Sequence, residues 1–170
     1  MIEVRIAGVS ADSGSGQPVV LLEATEAPES DRPVTERRMV PIWIGHPEAN
    51  AILLAAQGIG LPRPMTHDLL RSVIETLGFI VERVEITRLE EGTFYAALLL
   101  RGEERLLAVD ARPSDSLALA VRVGCPVFIE DSIFDEAAVL VRSVDADDEE
   151  QELERFRDFL DHVDPSDFMS

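Results

Sequence analysis

Apolar and polar residues alternate from Ile2 to Val9 and again from Val19 to Ala24, a period of two that predicts strands with one buried face. Ser13-Gly14-Ser15-Gly16 between them reads as a flexible connection. Residues 25–38 carry Pro28, Pro33, several acids and three arginines, and predict a mobile loop. Met39–Ile44 is a compact apolar strand whose Trp43, between two isoleucines, reads as core. Pro47 suits a helix's first turn, and the helix is expected through Ala49–Gln57, ending around Gly58 and Gly60. Thr66 is expected to cap a second helix with Asp68 in its first turn and Gly78 closing it. Phe79–Leu89, Thr93–Leu100 and Arg105–Val109 predict strands joined by turns at Glu91-Gly92 and Arg101-Gly102. Ser114 is the expected cap of a third helix, Asp115–Val123, which Gly124 ends. Val127–Ile129 then predicts a last strand, followed by a short helix near Ile133–Leu140. Strands interrupted by helices, without an internal repeat, make the expected class α+β: a mixed or antiparallel sheet with inserted helices.

Charge divides the chain. Its 170 residues carry a net −18 from 33 carboxylates and 15 basic residues, all of them arginine. Residues 1–142 hold 22 acids and 13 arginines, net −9, and residues 143–170 hold 11 acids and 2 arginines, also −9. We therefore read one domain over 1–142 and an appendage over 143–170. In the appendage an acidic linker precedes an amphipathic helix from about Glu149 to His162, striped by Leu153, Phe156, Phe159, Leu160 and Val163. It reads either as a solvated terminal helix or as a segment that binds a partner or covers a groove. No apolar run is long enough to cross a bilayer, the N-terminus does not read as a signal peptide, and the single Cys125 fits a reducing cytoplasm. An acidic balance argues against a general nucleic-acid binder.

Three stretches concentrate polar residues where a strand or loop feeds a helix: 41–49, 62–70 and 109–120. Helix starts present unpaired N–H groups and partial positive charge, so they can hold phosphate. Their first-turn carboxylates can instead bind a divalent metal. Arg63 and Arg112 could fork onto phosphate oxygens, and His67 could move protons near neutral pH. The same residues have plainer roles open to them. Thr66 and Ser114 could simply be caps, and Glu48, Asp68 and Asp115 dipole partners. Arg112 could be only an ion pair with Asp110 and Asp115, and His67 simply exposed. No phosphate-loop glycines, dinucleotide fingerprint or H-E-x-x-H helix is present.

Taken together, Pro41-Ile42-Trp43-Ile44-Gly45 with Glu48-Ala49, Pro62-Arg63-Pro64-Met65-Thr66-His67-Asp68-Leu69-Leu70, Gly92-Thr93-Phe94-Tyr95-Ala96 and Val109-Asp110-Ala111-Arg112-Pro113-Ser114-Asp115-Ser116 resemble the bifunctional nuclease domain family, in order and over about residues 2–141. The tail resembles the extension of actinobacterial members. Met65 stands where leucine is usual in the family and Ser116 where alanine is usual. The resemblance implies a bacterial homodimer of triangular subunits with a groove as the suspected active site. It also implies DNA and RNA as partners and both DNase and RNase activity.

If the chain is a nuclease, the expected chemistry is metal-assisted phosphodiester hydrolysis without an organic cofactor. Asp68, Asp110 and Asp115, with Glu48, would hold Mg²⁺ or Mn²⁺; Arg63 and Arg112, with Thr66 and Ser114, would hold phosphate; His67 would be general base or acid. Asp110 and Asp115 would then be catalytic together with His67, Asp68 and Arg112. This needs three helix starts to converge. The alternatives are a non-catalytic dimeric binding or regulatory module and a binder of small phosphates or nucleotides.

Overall fold

Eight strands and four helices alternate along the chain in the computed structural model, which describes residues 1–25 and 36–142. In order they are β1 (Ile2–Ala11), β2 (Pro18–Ala24), β3 (Glu36–Trp43), α1 (His46–Ala56), α2 (Thr66–Thr76), β4 (Ile80–Glu90), β5 (Thr93–Arg101), β6 (Leu106–Ala111), α3 (Pro113–Val123), β7 (Val127–Ile129), α4 (Asp131–Ala137) and β8 (Val139–Arg142). The strands make one sheet in the order β6-β5-β4-β7-β1-β2-β3-β8. Most neighbours run antiparallel, but β4 and β7 are parallel, so the α+β sheet is mixed. Most of the loop expected at 25–38, and the acidic tail with its amphipathic helix, lie outside the described residues. Residues 1–25 and 38–140 belong to one unit, which carries the site; residues 36–37 and 141–142 are the described part of a second.

Local chemistry explains most boundaries. The loop between β4 and β5 has two residues, Glu91 at φ 49° and Gly92 at φ 78°, the positive pair that a tight hairpin turn of matching twist requires. Gly124 adopts φ 69° and donates its N–H to Ala120 O, which ends α3 in the left-handed conformation that glycine accepts without strain. The two expected caps differ from the observed starts. Pro113, with φ preset for a helix, begins α3, so Arg112 is the capping position and buried Ser114 lies inside the first turn. In α2 the capping position is Met65 and Thr66 is already helical.

The core lies between the sheet and helices α1 and α3. Helix α3 is its centre: Ser116, Leu117, Ala118 and Leu119 are fully enclosed. Each large apolar side chain there contributes roughly 1.5–3 kcal/mol by leaving water. The hydroxyl of Ser116 donates to Arg112 O at 3.0 Å, so a polar side chain is buried without an unmet hydrogen bond. Trp43 is a correction to the sequence reading. Ile42 and Ile44 are buried, and because alternate strand residues face opposite sides, Trp43 between them is 52% exposed. The last expected helix is also shorter than read: α4 stops at Ala137 and Val139–Arg142 form β8.

Candidate active site

Helices α1, α2 and α3 each begin at a strand or loop end, and four side chains from those starts meet. Glu48 lies in the first turn of α1 and folds back over its capping residue; a Cβ at Gly45 would collide with Glu48 Oε2 and push that carboxylate out of its place. Glu48 Oε1 accepts a 2.7 Å hydrogen bond from Arg112 Nη2. The same guanidinium grips Asp115 through Nε to Oδ2 at 2.7 Å and Nη2 to Oδ1 at 3.2 Å. Asp115 Oδ1 is in turn 3.2 Å from His67 Nε2. A continuous chain of contacts thus runs Glu48–Arg112–Asp115–His67 and joins all three helix starts.

The electrostatics of this chain fix its protonation. Burial alone would raise the Asp115 carboxyl, but hydrogen bonds and charge from Arg112 and His67 outweigh burial and hold it below the usual range. An ionised Asp115 has no proton to give, so His67 Nε2 carries the hydrogen and donates. In neutral His67 the lone pair is then on Nδ1. Arg112, flanked by two carboxylates, is held more firmly cationic than a free guanidinium. His67 is buried, not exposed, whereas the Arg112 side chain is 67% exposed. A guarded imidazole and an accessible cation therefore share one carboxylate.

A second ion pair braces the first. Asp68 Oδ2 accepts the N–H of Met65 at 2.8 Å, satisfying one orphan donor of α2, while Asp68 Oδ1 takes Arg122 Nε at 2.7 Å. Arg122 also donates through Nη1 to Ala51 O on α1 at 3.0 Å and to Ala118 O at 2.7 Å. Burial acts to raise the Asp68 carboxyl, but the Met65 N–H and Arg122 prevail and lower it. Arg122 was not among the residues singled out from the sequence. Its signal was positional, four residues after buried Ala118 on the inward stripe of α3. An open hollow of about 470 Å³ beside Leu54, Gly60, Leu61 and Met65 reaches Asp68 and Arg122.

The profile of the bifunctional nuclease domain matches residues 32–142, a span that holds every residue of this network. The chain belongs to the bifunctional nuclease domain family. An uncharacterized protein of Mycobacterium tuberculosis (strain CDC 1551 / Oshkosh) is 43% identical over 174 aligned positions, covering 99% of this chain and 98% of its own. Bifunctional nuclease 1 of Oryza sativa subsp. indica is 28% identical over 92 residues, 52% of this chain and 28% of the rice protein. Bifunctional nuclease 2 of Oryza sativa subsp. japonica is 22% identical over 129 residues, 74% of this chain and 37% of its own.

Within this bifunctional nuclease domain the remaining candidates stand apart. Asp110 is exposed near the end of β6 and outside the network, so Arg112 pairs with Glu48 and Asp115 and not with Asp110. Arg63 is exposed in the loop before α2, Thr66 is exposed as that helix's first residue, and Ser114 is buried. Among the described residues no group of three or more His, Cys, Asp or Glu is arranged to hold a metal ion. Glu48 and Asp115 share Arg112, and Asp68 pairs with Arg122, so each already spends oxygens on a guanidinium. This donor set does not fit a Mg²⁺ or Mn²⁺ centre.

Proposed function

We propose that this chain is a nuclease that hydrolyses phosphodiester bonds of DNA and RNA with little sequence preference, and that it works as a homodimer. The observation that carries the reading is the Glu48–Arg112–Asp115–His67 chain of contacts at three joined helix starts. Asp115 orients His67 through Nε2 and stabilises the imidazolium that forms when Nδ1 takes a proton from an attacking water. The water oxygen bonds to phosphorus as the bond to the leaving ribose oxygen breaks, and that oxygen takes a proton from solvent. Exposed Arg112 and Arg63 offer planar donors to the non-bridging phosphate oxygens, where negative charge accumulates. Recognition through phosphate alone reads neither base nor 2′-hydroxyl, which accounts for acceptance of both nucleic acids. Family membership and the names of the rice relatives support the same reading. A lone cysteine supports a cytoplasmic setting.

The test is cleavage of labelled single-stranded DNA and RNA by wild-type, His67→Ala and Asp115→Asn proteins purified side by side. Loss of cleavage in both variants supports the assignment, and equal cleavage by all three ends it. One observation favours a second reading, a non-catalytic binding module: every carboxylate of the network is already paired with an arginine, as a purely structural lock would be. Under that reading polyanion affinity is weak and changes little with salt, because few counterions are released.

A further inference from the structure

β6 is an edge strand, bonded to β5 on one side and to no other strand among the described residues. Its protection against pairing is slight, a single charged side chain, Asp110. Its sequence is Leu106-Leu107-Ala108-Val109-Asp110-Ala111, without proline or basic residues. Val109 pairs with Leu98, so the two side chains share a sheet face, yet Leu98 is buried and Val109 is 41% exposed. On the opposite face Leu106 is 54% exposed. β8, at the other edge, runs into chain outside the described residues, whereas β6 has described chain at both ends.

The hydrogen-bond phase of β6 follows from its hairpin. Gly102 N–H donates to Arg105 O at 2.9 Å, which makes 102/105 a bonded pair. Bonded and non-bonded pairs alternate in an antiparallel ladder. Leu107, Val109 and Ala111 therefore bond to β5, and the N–H and C=O groups of Leu106, Ala108 and Asp110 point outward. The hairpin is held in place: the Phe79 ring packs where a Cβ on Gly102 would stand and stacks with Arg105 at 5.0 Å, tying it to the end of α2, where Leu77 is also exposed.

We propose that β6 is where two copies of this chain meet, pairing antiparallel about a two-fold axis at Ala108 to continue the sheet across the dimer. This rests on the homodimer proposed above and identifies its interface. The register centred on Ala108 engages all three outward-facing residues, with Leu106 opposite the partner's Asp110 and Ala108 opposite itself. It also sets Leu107 against the partner's Val109 in non-bonded pairs, whose side chains come closest, and so covers the exposed end of the core face. On the other face Arg101, which is paired with Leu106 across the hairpin and lies 3.7 Å from Glu82, can extend over Leu106 toward the partner's Asp110. Asp110, which the site leaves unused, thereby gains an opposite charge.

Sedimentation of the full chain over a range of concentrations tests this. Ala108→Pro removes only an outward N–H, which an edge strand tolerates, so a folded monomer is expected. Leu106→Asp sets a carboxylate against the partner's Asp110 and is expected to weaken the dimer about tenfold. Adding Asp110→Lys to Leu106→Asp is expected to restore it. A wild-type chain that is monomeric at every concentration overturns both the homodimer and this interface. A dimer that Ala108→Pro leaves intact overturns the interface alone, and failure of the charge swap to rescue Leu106→Asp overturns the register.

Discussion

Asp115 holds His67 and Arg112 at once: its Oδ1 is 3.2 Å from His67 Nε2 while both of its oxygens accept from the Arg112 guanidinium. An imidazole and a guanidinium cannot both be positioned by one carboxylate unless that carboxylate stays ionised, and Arg112 keeps it so. The pair thus couples a proton acceptor to a phosphate-facing cation through one side chain.

Asp115→Asn therefore acts on both partners. The amide lacks the charge that favours imidazolium formation and offers an N–H donor where an acceptor is needed. Cleavage kcat/KM is expected to fall roughly a hundredfold or more, the scale of a lost acid–base group. Stability should fall by only about 1 kcal/mol, because Arg112 is mostly exposed and solvent screens the pair. Kinetics on labelled oligonucleotides together with urea unfolding of the same preparations check both halves. A large stability loss with unchanged cleavage would make Asp115 a structural residue.

The same carboxylates set a pH dependence. Asp68 and Asp115 have lowered pKa values in the folded chain, so between the folded and unfolded values the unfolded chain binds more protons. Stability from them is full above the unfolded value near 4 and is lost as pH falls through their folded values. Urea midpoints measured downward from pH 5 should fall, and the Asp115→Asn protein should show a shallower decline than wild type. An identical slope in both would remove Asp115 from this account.

Much of the fold was legible because its signals are local. Period-two runs mark β1 and β2, and Glu91-Gly92 marks the turn of the β4–β5 hairpin. Two helix starts shifted by a residue or two, because Arg112 and Met65 hold the capping positions assigned to Ser114 and Thr66. Trp43 was misread because its apolar neighbours suggested burial, although alternation with Ile42 and Ile44 placed it on the opposite face. β8 was missed because its apolar residues continue directly from α4. Glu48, His67, Arg112 and Asp115 were each visible as helix-start residues. That Arg112 reaches Glu48, 64 positions away, depends on how α1 packs against α3, which no local pattern encodes.

Arg122 is the long-range residue with the largest expected mechanical role. Its side chain is 6% exposed and bridges Asp68 on α2 to a backbone carbonyl of α1. Arg122→Met keeps most of the volume but removes the donor to Asp68 Oδ1 and to Ala51 O. With Asp68 itself partly exposed, the loss should be about 2 kcal/mol, below the range for a fully buried pair. For a chain of this length that lowers the thermal midpoint by roughly 4–8 °C. Calorimetry measures it, and a shift under a degree would show that Arg122 does not brace the helix starts.

Metal removal separates the proposed chemistry from the metal-assisted mechanism expected from sequence. A Mg²⁺ or Mn²⁺ centre needs several oxygen ligands whose charge the ion itself balances. Here Glu48 and Asp115 share Arg112 and Asp68 holds Arg122, and a cation entering among them would have to displace guanidinium groups from 2.7 Å contacts. Exhaustive chelation followed by dialysis is therefore expected to leave both the thermal midpoint and the cleavage rate unchanged. Adding Mg²⁺ or Mn²⁺ back should change neither beyond the general effect of ionic strength. A rate that collapses on chelation and returns with one divalent ion would mean that the arginine pairs open during turnover, and the roles assigned to Arg112 and His67 would then have to be exchanged for those of metal-bound carboxylates.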